Sequence, residues 1–453
     1  MVLLGLQLRL VCSRGDVWLD EIWSLQLARL AGTAAGVFTL HHDNNHHLNT
    51  LWILLVGSDA PAPLLRLAAV AAGTASLLVV ARRPLGGSRS EALAALGLSS
   101  LSHLMVHYGS EARGYALAAF FGLTALLAMA RYLETRRWLW AALFGAVSVL
   151  GLLSHLTFLL LLLGFAAWAA AEFWQTRRNR PPGAAIALLV LPPAAALALL
   201  WWIDLRQLVI GGAAPYEVLE VLRELLRTAL GIPAGPLELL GLLALAGAVL
   251  EIWHLARSGR AVWLFFAATL LVAPALVAAA RPGFLAPRYF LVIVPGFLLL
   301  LGRALARLQR RARAGQAAAV LALLLFAVGN GLQIARLRQE GRGQYHEAFA
   351  WLVSQSPRGS VITIGSDHDW RTRMVLGHVA RELPVAERVE YMEAGNWTAD
   401  APRWILRHDF ADRPSAEPGL RAYTGRRYVL DRQFGYAGLS GWNWYLYRID
   451  PAP

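Results

Sequence analysis

The chain alternates long apolar runs with short polar gaps. About ten runs are long enough to cross a bilayer as helix, which takes roughly 20 residues at ~1.5 Å each. They fall near 64–82, 91–108, 114–132, 138–154, 157–174, 184–203, 236–256, 261–280, 289–306 and 316–334. The first residues, Val2–Cys12, read as about half of one more span, either an interfacial stub or the end of a span that starts upstream. They make a poor signal peptide, with no basic n-region and no small-residue cleavage site.

The gaps are not alike. Every second one is rich in Arg: Arg82, Arg83 and Arg89, then Arg131, Arg136 and Arg137, then Arg177, Arg178 and Arg180, then Arg257 and Arg260, then the run from Arg303 to Arg313. The intervening set is longer and holds fewer: Arg14, Arg29, Arg113, Arg206, Arg223, Arg227, Arg281 and Arg288. The positive-inside bias puts the first set in the cytoplasm. Residues 13–63, 107–113, 204–235, 281–288 and the tail then face outward.

From Arg336 on, no run is long enough to span. A helix-like stretch, Tyr345–Val353, precedes strand candidates at Val361–Ile364, Val389–Met392, Trp404–Leu406, Arg427–Leu430 and Trp444–Ile449. Helix and short strands in alternation predict a small α/β domain. The reading is a mainly α protein, with a multi-span membrane domain over 1–334 and a small α/β extracytoplasmic domain over 335–453.

Composition agrees. Of 453 residues, 57% are hydrophobic and 16% charged, against roughly 25% charged in soluble domains. This excludes a disordered chain and an ordinary cytosolic enzyme. All 42 basic residues are Arg, and the net charge is +13. Most Arg clusters sit between apolar runs rather than on a soluble face, which argues against nucleic acid as a partner. The single Cys12 excludes disulfides within the chain and CxxC metal sites.

Candidate chemistry gathers in the outward gaps. The first carries the adjacent pair Asp20 and Glu21, flanked by Trp18 and Trp23. Neighbours on a helix point about 100° apart, so one can serve a cavity while the other braces a helix end. Asp20 as the N-cap of an amphipathic helix is the structural alternative. The same gap holds His41-His42-Asp43-Asn44-Asn45-His46-His47. His42 and His46 suit one helix face, and Asp43 adds an oxygen, so a divalent metal stays open. Against it, HExxH is absent and Asn44-Asn45 favours a turn, so a hydrogen-bonding loop is preferred.

The second gap reads His107-Tyr108-Gly-Ser-Glu111-Ala-Arg113-Gly-Tyr115. Glu111 and Arg113 are either a simple pair at the membrane edge or an anion-binding Arg held by Glu111. Ser154-His155 lies between two spans with almost no loop. Pro287-Arg288-Tyr289 ends the gap that begins at Arg281. Arg288 stands on the side where the bias disfavours Arg, which favours a counter-ion role over snorkelling.

These motifs resemble the GT-C membrane glycosyltransferases, in particular the protein O-mannosyltransferases and the aminoarabinose transferase of lipid A. Asp20-Glu21 is similar to that family's first-loop acidic motif. Asn45-His46-His47-Leu48-Asn49 stands where many bacterial members show a His-Pro-Pro-Leu-Tyr type sequence, here without the prolines. Ser110-Glu111-Ala112-Arg113-Gly114-Tyr115, Ser154-His155 and Pro287-Arg288-Tyr289 resemble three later family motifs, in order.

The resemblance implies a bacterial cytoplasmic-membrane enzyme that moves a sugar from a polyprenyl phosphate to an acceptor hydroxyl of a glycan, lipid or protein. Asp20 would be the base, supported by Glu21. Arg113 and Arg288 would hold the lipid phosphate, with Glu111, Tyr115, Tyr289, His46 and His155 around them. The alternative is a transporter or flippase of an anionic lipid-linked substrate. Transporters tend to place charges at mid-membrane, whereas these spans are almost free of charge.

Overall fold

The computed structural model describes residues 1–175, 183–210, 216–357, 359–382, 389–397, 401–411, 416–421 and 425–450. Arg177, Arg178 and Arg180 lie outside the described residues. Among the described residues, seven helices are long and apolar enough to cross a membrane: Tyr115–Thr135, Leu156–Gln175, Gly183–Gln207, Pro236–Arg257, Trp263–Ala280, Pro287–Gln309 and the stretch that begins at Arg313. Leu67–Ala81 and Trp138–Ser154 are shorter apolar helices. The chain is a multi-pass membrane protein.

Contacts divide it into two units. The first comprises Met1–Ser13 and Leu27–Ile334; the second comprises Arg14–Gln26 and Ala335–Pro453. The sequence placed Asp20 and Glu21 with the spans; the packing groups them with the tail.

In the first unit, helices approach closely through small residues. A side chain on Gly302 would collide with Ala95, and one on Gly145 with the Leu188 carbonyl. Without a hydrophobic force between helices in lipid, such contact is what binds them. Ion pairs join helix ends. Glu251 meets Arg307 at 2.7 Å and Glu91 meets Arg303 at 2.7 Å.

One sequence expectation needs correction. The run 91–108 is not a continuous helix. It breaks at Ser102 into Arg89–Leu101 and His103–Tyr108. Ser102 leaves helical geometry at ψ 117°, and the buried His103 N–H freed by the break donates to Asn330 Oδ1 at 2.6 Å. Asn330 is fully buried in the helix Arg313–Glu340. A buried polar side chain thus satisfies the donor that the break releases. The N-terminal segment Val2–Cys12 is helical and buries Gly5, Arg9 and Cys12. The Arg9 guanidinium lies against Gly73 and Gly109, where any Cβ would strike it.

The second unit is built on a six-stranded sheet. Its strands are β1 (Ile362–Ser366), β2 (Val389–Tyr391), β3 (Trp404–Asp409), β4 (Gly419–Arg421), β5 (Arg427–Phe434) and β6 (Asn443–Ile449). The order is β2-β1-β3-β6-β5-β4, with β1 parallel to both its neighbours and the remaining pairs antiparallel. Five strands lie where the pattern predicts them. β4 and the helix Asp369–Glu382 were not anticipated. β6 is buried at five consecutive positions, as a central strand covered on both faces must be. Helix Tyr345–Ser354 buries Tyr345, Ala348, Phe349 and Leu352, the i, i+3, i+4, i+7 face of an amphipathic helix.

Candidate functional site

The first unit brings four separated motifs to one cluster. His46 ends the loop before helix His47–Val56, Arg113 and Gly114 precede helix Tyr115–Thr135, His155 links two spans, and Arg288-Tyr289 opens another. The His46 and His155 rings stand 4.5 Å apart, and each touches Tyr115, at 5.3 and 4.5 Å. Tyr289 lies 6.1 Å from His155. The Arg113 guanidinium is buried 5.6 Å over the Tyr115 ring and donates to Asn44 Oδ1. Arg288 lies over Phe284 and Tyr289, both at 5.8 Å.

Gly114 makes this closeness workable. A Cβ there would meet the Ser154 carbonyl oxygen and His46 Cβ. Without one, the Gly114 N–H reaches His46 Nδ1 at 2.8 Å. Asn49 Nδ2 donates to the Ala112 carbonyl at 2.7 Å and pins the same turn. Glu111 is fully buried, with its carboxylate 3.3 Å from His107 Nε2.

The protonation pattern follows. Burial, and then the positive charge of Arg113, pushes His155 down to about 3 and His46 well below the ordinary imidazole range. Arg288 adds to both effects. Both rings are therefore neutral. His46 Nδ1 accepts from Gly114, and His155 Nδ1 accepts from the Thr157 N–H at 3.2 Å. A neutral imidazole with an accepting Nδ1 carries its proton on Nε2. His46 Nε2 stands 3.5 Å from Arg113 Nη2, so two donors face each other. An arrangement of N–H donors and two guanidinium charges suits an anion, above all a phosphate.

The histidine loop departs from expectation. His42 and His46 do not share a helix face. Residues 43–44 form a turn, and His42 pairs with Asp43 at 2.9 Å. His41 and His47 instead approach the two oxygens of buried Asp204, each at 3.1 Å. Asp204 lies far along the chain, so no spacing signal reveals it. Asn44, the Arg113 partner, was likewise not singled out. Among the described residues no group of three His, Cys, Asp or Glu is arranged to hold a metal.

Asp20 and Glu21 belong to the second unit and divide their tasks. Helix Leu19–Ala31 starts before Asp20, so Asp20 is not the N-cap. Glu21 does the bracing. It is fully buried, and its Oε2 accepts the Trp18 N–H at 3.2 Å, the backward half of a capping box. Asp20 is half-buried. The approach to this helix is fixed by Asp16, which accepts the His346 N–H at 2.9 Å and meets its Nδ1 at 2.9 Å.

No family model and no curated protein matches the chain. Solved structures do. ArnT from Cupriavidus metallidurans bound to undecaprenyl phosphate aligns over 100% of this chain and 97% of its own, at 14% identity and TM-score 0.54. Its apo form gives 90%, 91%, 14% and 0.56. The apo oligosaccharyltransferase of Archaeoglobus fulgidus aligns over 86% of this chain and 63% of its own, at 12% identity and TM-score 0.50. The chain therefore has the GT-C glycosyltransferase fold: a helical membrane part with a small C-terminal sheet domain.

Proposed function

We propose that the protein is a membrane glycosyltransferase that moves a sugar from a polyprenyl phosphate to an acceptor hydroxyl at the outer face of the bacterial cytoplasmic membrane. One observation carries the reading: Arg113, Arg288 and the Nε2 donors of two neutral imidazoles, His46 and His155, cluster at the ends of spans. A lipid phosphate would bring several acceptor oxygens to these donors and a negative charge to the two guanidinium groups. The ArnT fold, seen with undecaprenyl phosphate in that protein, supports the donor class.

In this mechanism Asp20 takes the proton from the acceptor hydroxyl. The hydroxyl oxygen bonds to the anomeric carbon as the bond to the phosphate oxygen breaks. Negative charge grows on that oxygen, and Arg113 and Arg288 stabilise it more in the transition state than in the ground state. Tyr115 packs under Arg113, and Tyr289 lies beneath Arg288. Glu111 holds the turn before Arg113 through His107. Glu21 keeps the start of the Asp20 helix in place.

The test compares surface glycans and lipids by mass spectrometry in cells with wild-type protein, no protein, or Asp20→Asn. One species should lose a single sugar without the protein. Asp20→Asn should lower transfer roughly 100-fold or more while the protein stays inserted. Identical glycans and lipids in all three strains would refute the proposal.

A further inference from the structure

In the second unit, β1 sends the chain to β2 on one side, while β3 lies on the other. The β1/β3 boundary is thus a topological switch point, where α/β sheets bind ligands beyond the carboxyl ends of their strands. The residues that leave those two ends are unusual. Asp367, His368, Trp370 and Arg371 follow β1, while His408 lies at the end of β3 and Phe410 just after it. Trp370 is 39% exposed and Phe410 56%. Neither aromatic is part of the core.

The polar groups between them are tied together. His408 Nδ1 lies 2.8 Å from Asp367 Oδ1 and its Nε2 lies 2.8 Å from Arg371 Nη1. Arg371 cannot accept, so Nε2 accepts from it and Nδ1–H donates to Asp367. The Arg371 guanidinium stands 5.4 Å from the Phe410 ring centroid. The pattern continues onto the segment that bears Asp20. Trp23 meets Trp370 edge-on at 4.7 Å, and Asp20 lies three residues before Trp23, on the same helix face. The Asp20 charge acts on Arg371.

We propose that Trp23, Trp370, Arg371 and Phe410, beside Asp20, form a carbohydrate platform that seats the acceptor as a sugar ring. Aromatic faces take the C–H face of a sugar, and a fixed guanidinium and a carboxylate donate to and accept from its hydroxyls. An anion is a poor fit, because Asp20 and Asp367 flank the single Arg371. A lipid surface makes no use of the hydrogen-bonded Asp367–His408–Arg371 chain. The role as acceptor site rests on the transferase reading; the binding of sugar does not.

The experiment uses full-length protein in lipid nanodiscs and saturation-transfer NMR with maltose, lactose, α-mannobiose and N,N′-diacetylchitobiose. At least one disaccharide should receive saturation at its ring C–H protons. Trp370→Ala and Phe410→Ala should each weaken its binding about tenfold, and Trp370→Tyr should restore most of it. Both aromatics are exposed, so these variants keep the fold. Arg288→Ala should leave disaccharide affinity unchanged. Failure of sugar transfer with disaccharide binding intact would remove the transferase reading and leave the platform standing. No binding by any of the four sugars, or binding indifferent to both alanine variants, would overturn it.

Discussion

Gly114→Ala is a sharp perturbation of the Arg113 cluster, because it adds one methyl group and nothing else. Gly114 has φ −73° and ψ −6°, a conformation alanine adopts freely, so no backbone strain enters. The methyl would meet the Ser154 carbonyl oxygen and His46 Cβ, both held by buried backbone. Overpacking of this kind costs about 1–3 kcal/mol. If the turn moves to relieve it, the Gly114–His46 hydrogen bond is lost, for a further ~0.5–1.5 kcal/mol. Together these give about 1.5–4.5 kcal/mol, or a fall in Tm of roughly 2–7 °C for a unit of this size. The same shift releases the His46 tautomer and moves Arg113, so affinity for the proposed donor class, a polyprenyl phosphate, should fall about tenfold or more. Thermal unfolding in detergent and lipid binding by native mass spectrometry read the two effects. Gly247→Ala is the control. It lies within the helix Leu239–Arg257 with nothing near its Cβ, and should be neutral or stabilising by up to ~1 kcal/mol. A Gly114→Ala protein with wild-type Tm and wild-type lipid affinity would refute the close approach and the donor cluster built on it.

Three further outcomes are expected. Arg288→Lys should keep a charge but lose the two-pronged donor, so turnover should fall well below protein level, and Arg288→Ala should fall further; near-normal turnover in both would assign Arg288 to snorkelling. The hydrogen bond from His346 to Asp16 raises the His346 pKa above its ordinary value of 6.5. Its stabilisation is therefore complete below about pH 6.5 and fades as pH rises through the elevated folded value. Tryptic cleavage at Arg14, measured against a His346→Gln control at each pH, should grow with pH in the wild type alone; equal slopes would refute the linkage. A reporter active only outside the cytoplasm, fused after Pro453, should be active, and activity from a cytoplasmic reporter instead would invert the topology.

Hydropathy alone marked the chain as multi-pass, because crossing a bilayer demands length and apolarity that local sequence must supply. Short apolar and aromatic runs likewise marked five of the six strands of the tail. The motifs around Arg113, His155 and Arg288 were legible because each is contiguous. What the sequence left open depended on groups far apart in the chain. The break at Ser102 rests on Asn330, the histidine loop closes on Asp204, and the imidazole tautomers follow from Gly114 and Thr157. Sequence left open whether Asp20 caps its helix; the helix start at Leu19 rules that out and gives the brace to Glu21. Their grouping with the tail was invisible as well, since the contacts that make it, such as Asp16 with His346 and Trp23 with Trp370, join residues more than three hundred positions apart. Periodicity reports only which face of an element is apolar; the choice of partner is made by tertiary packing.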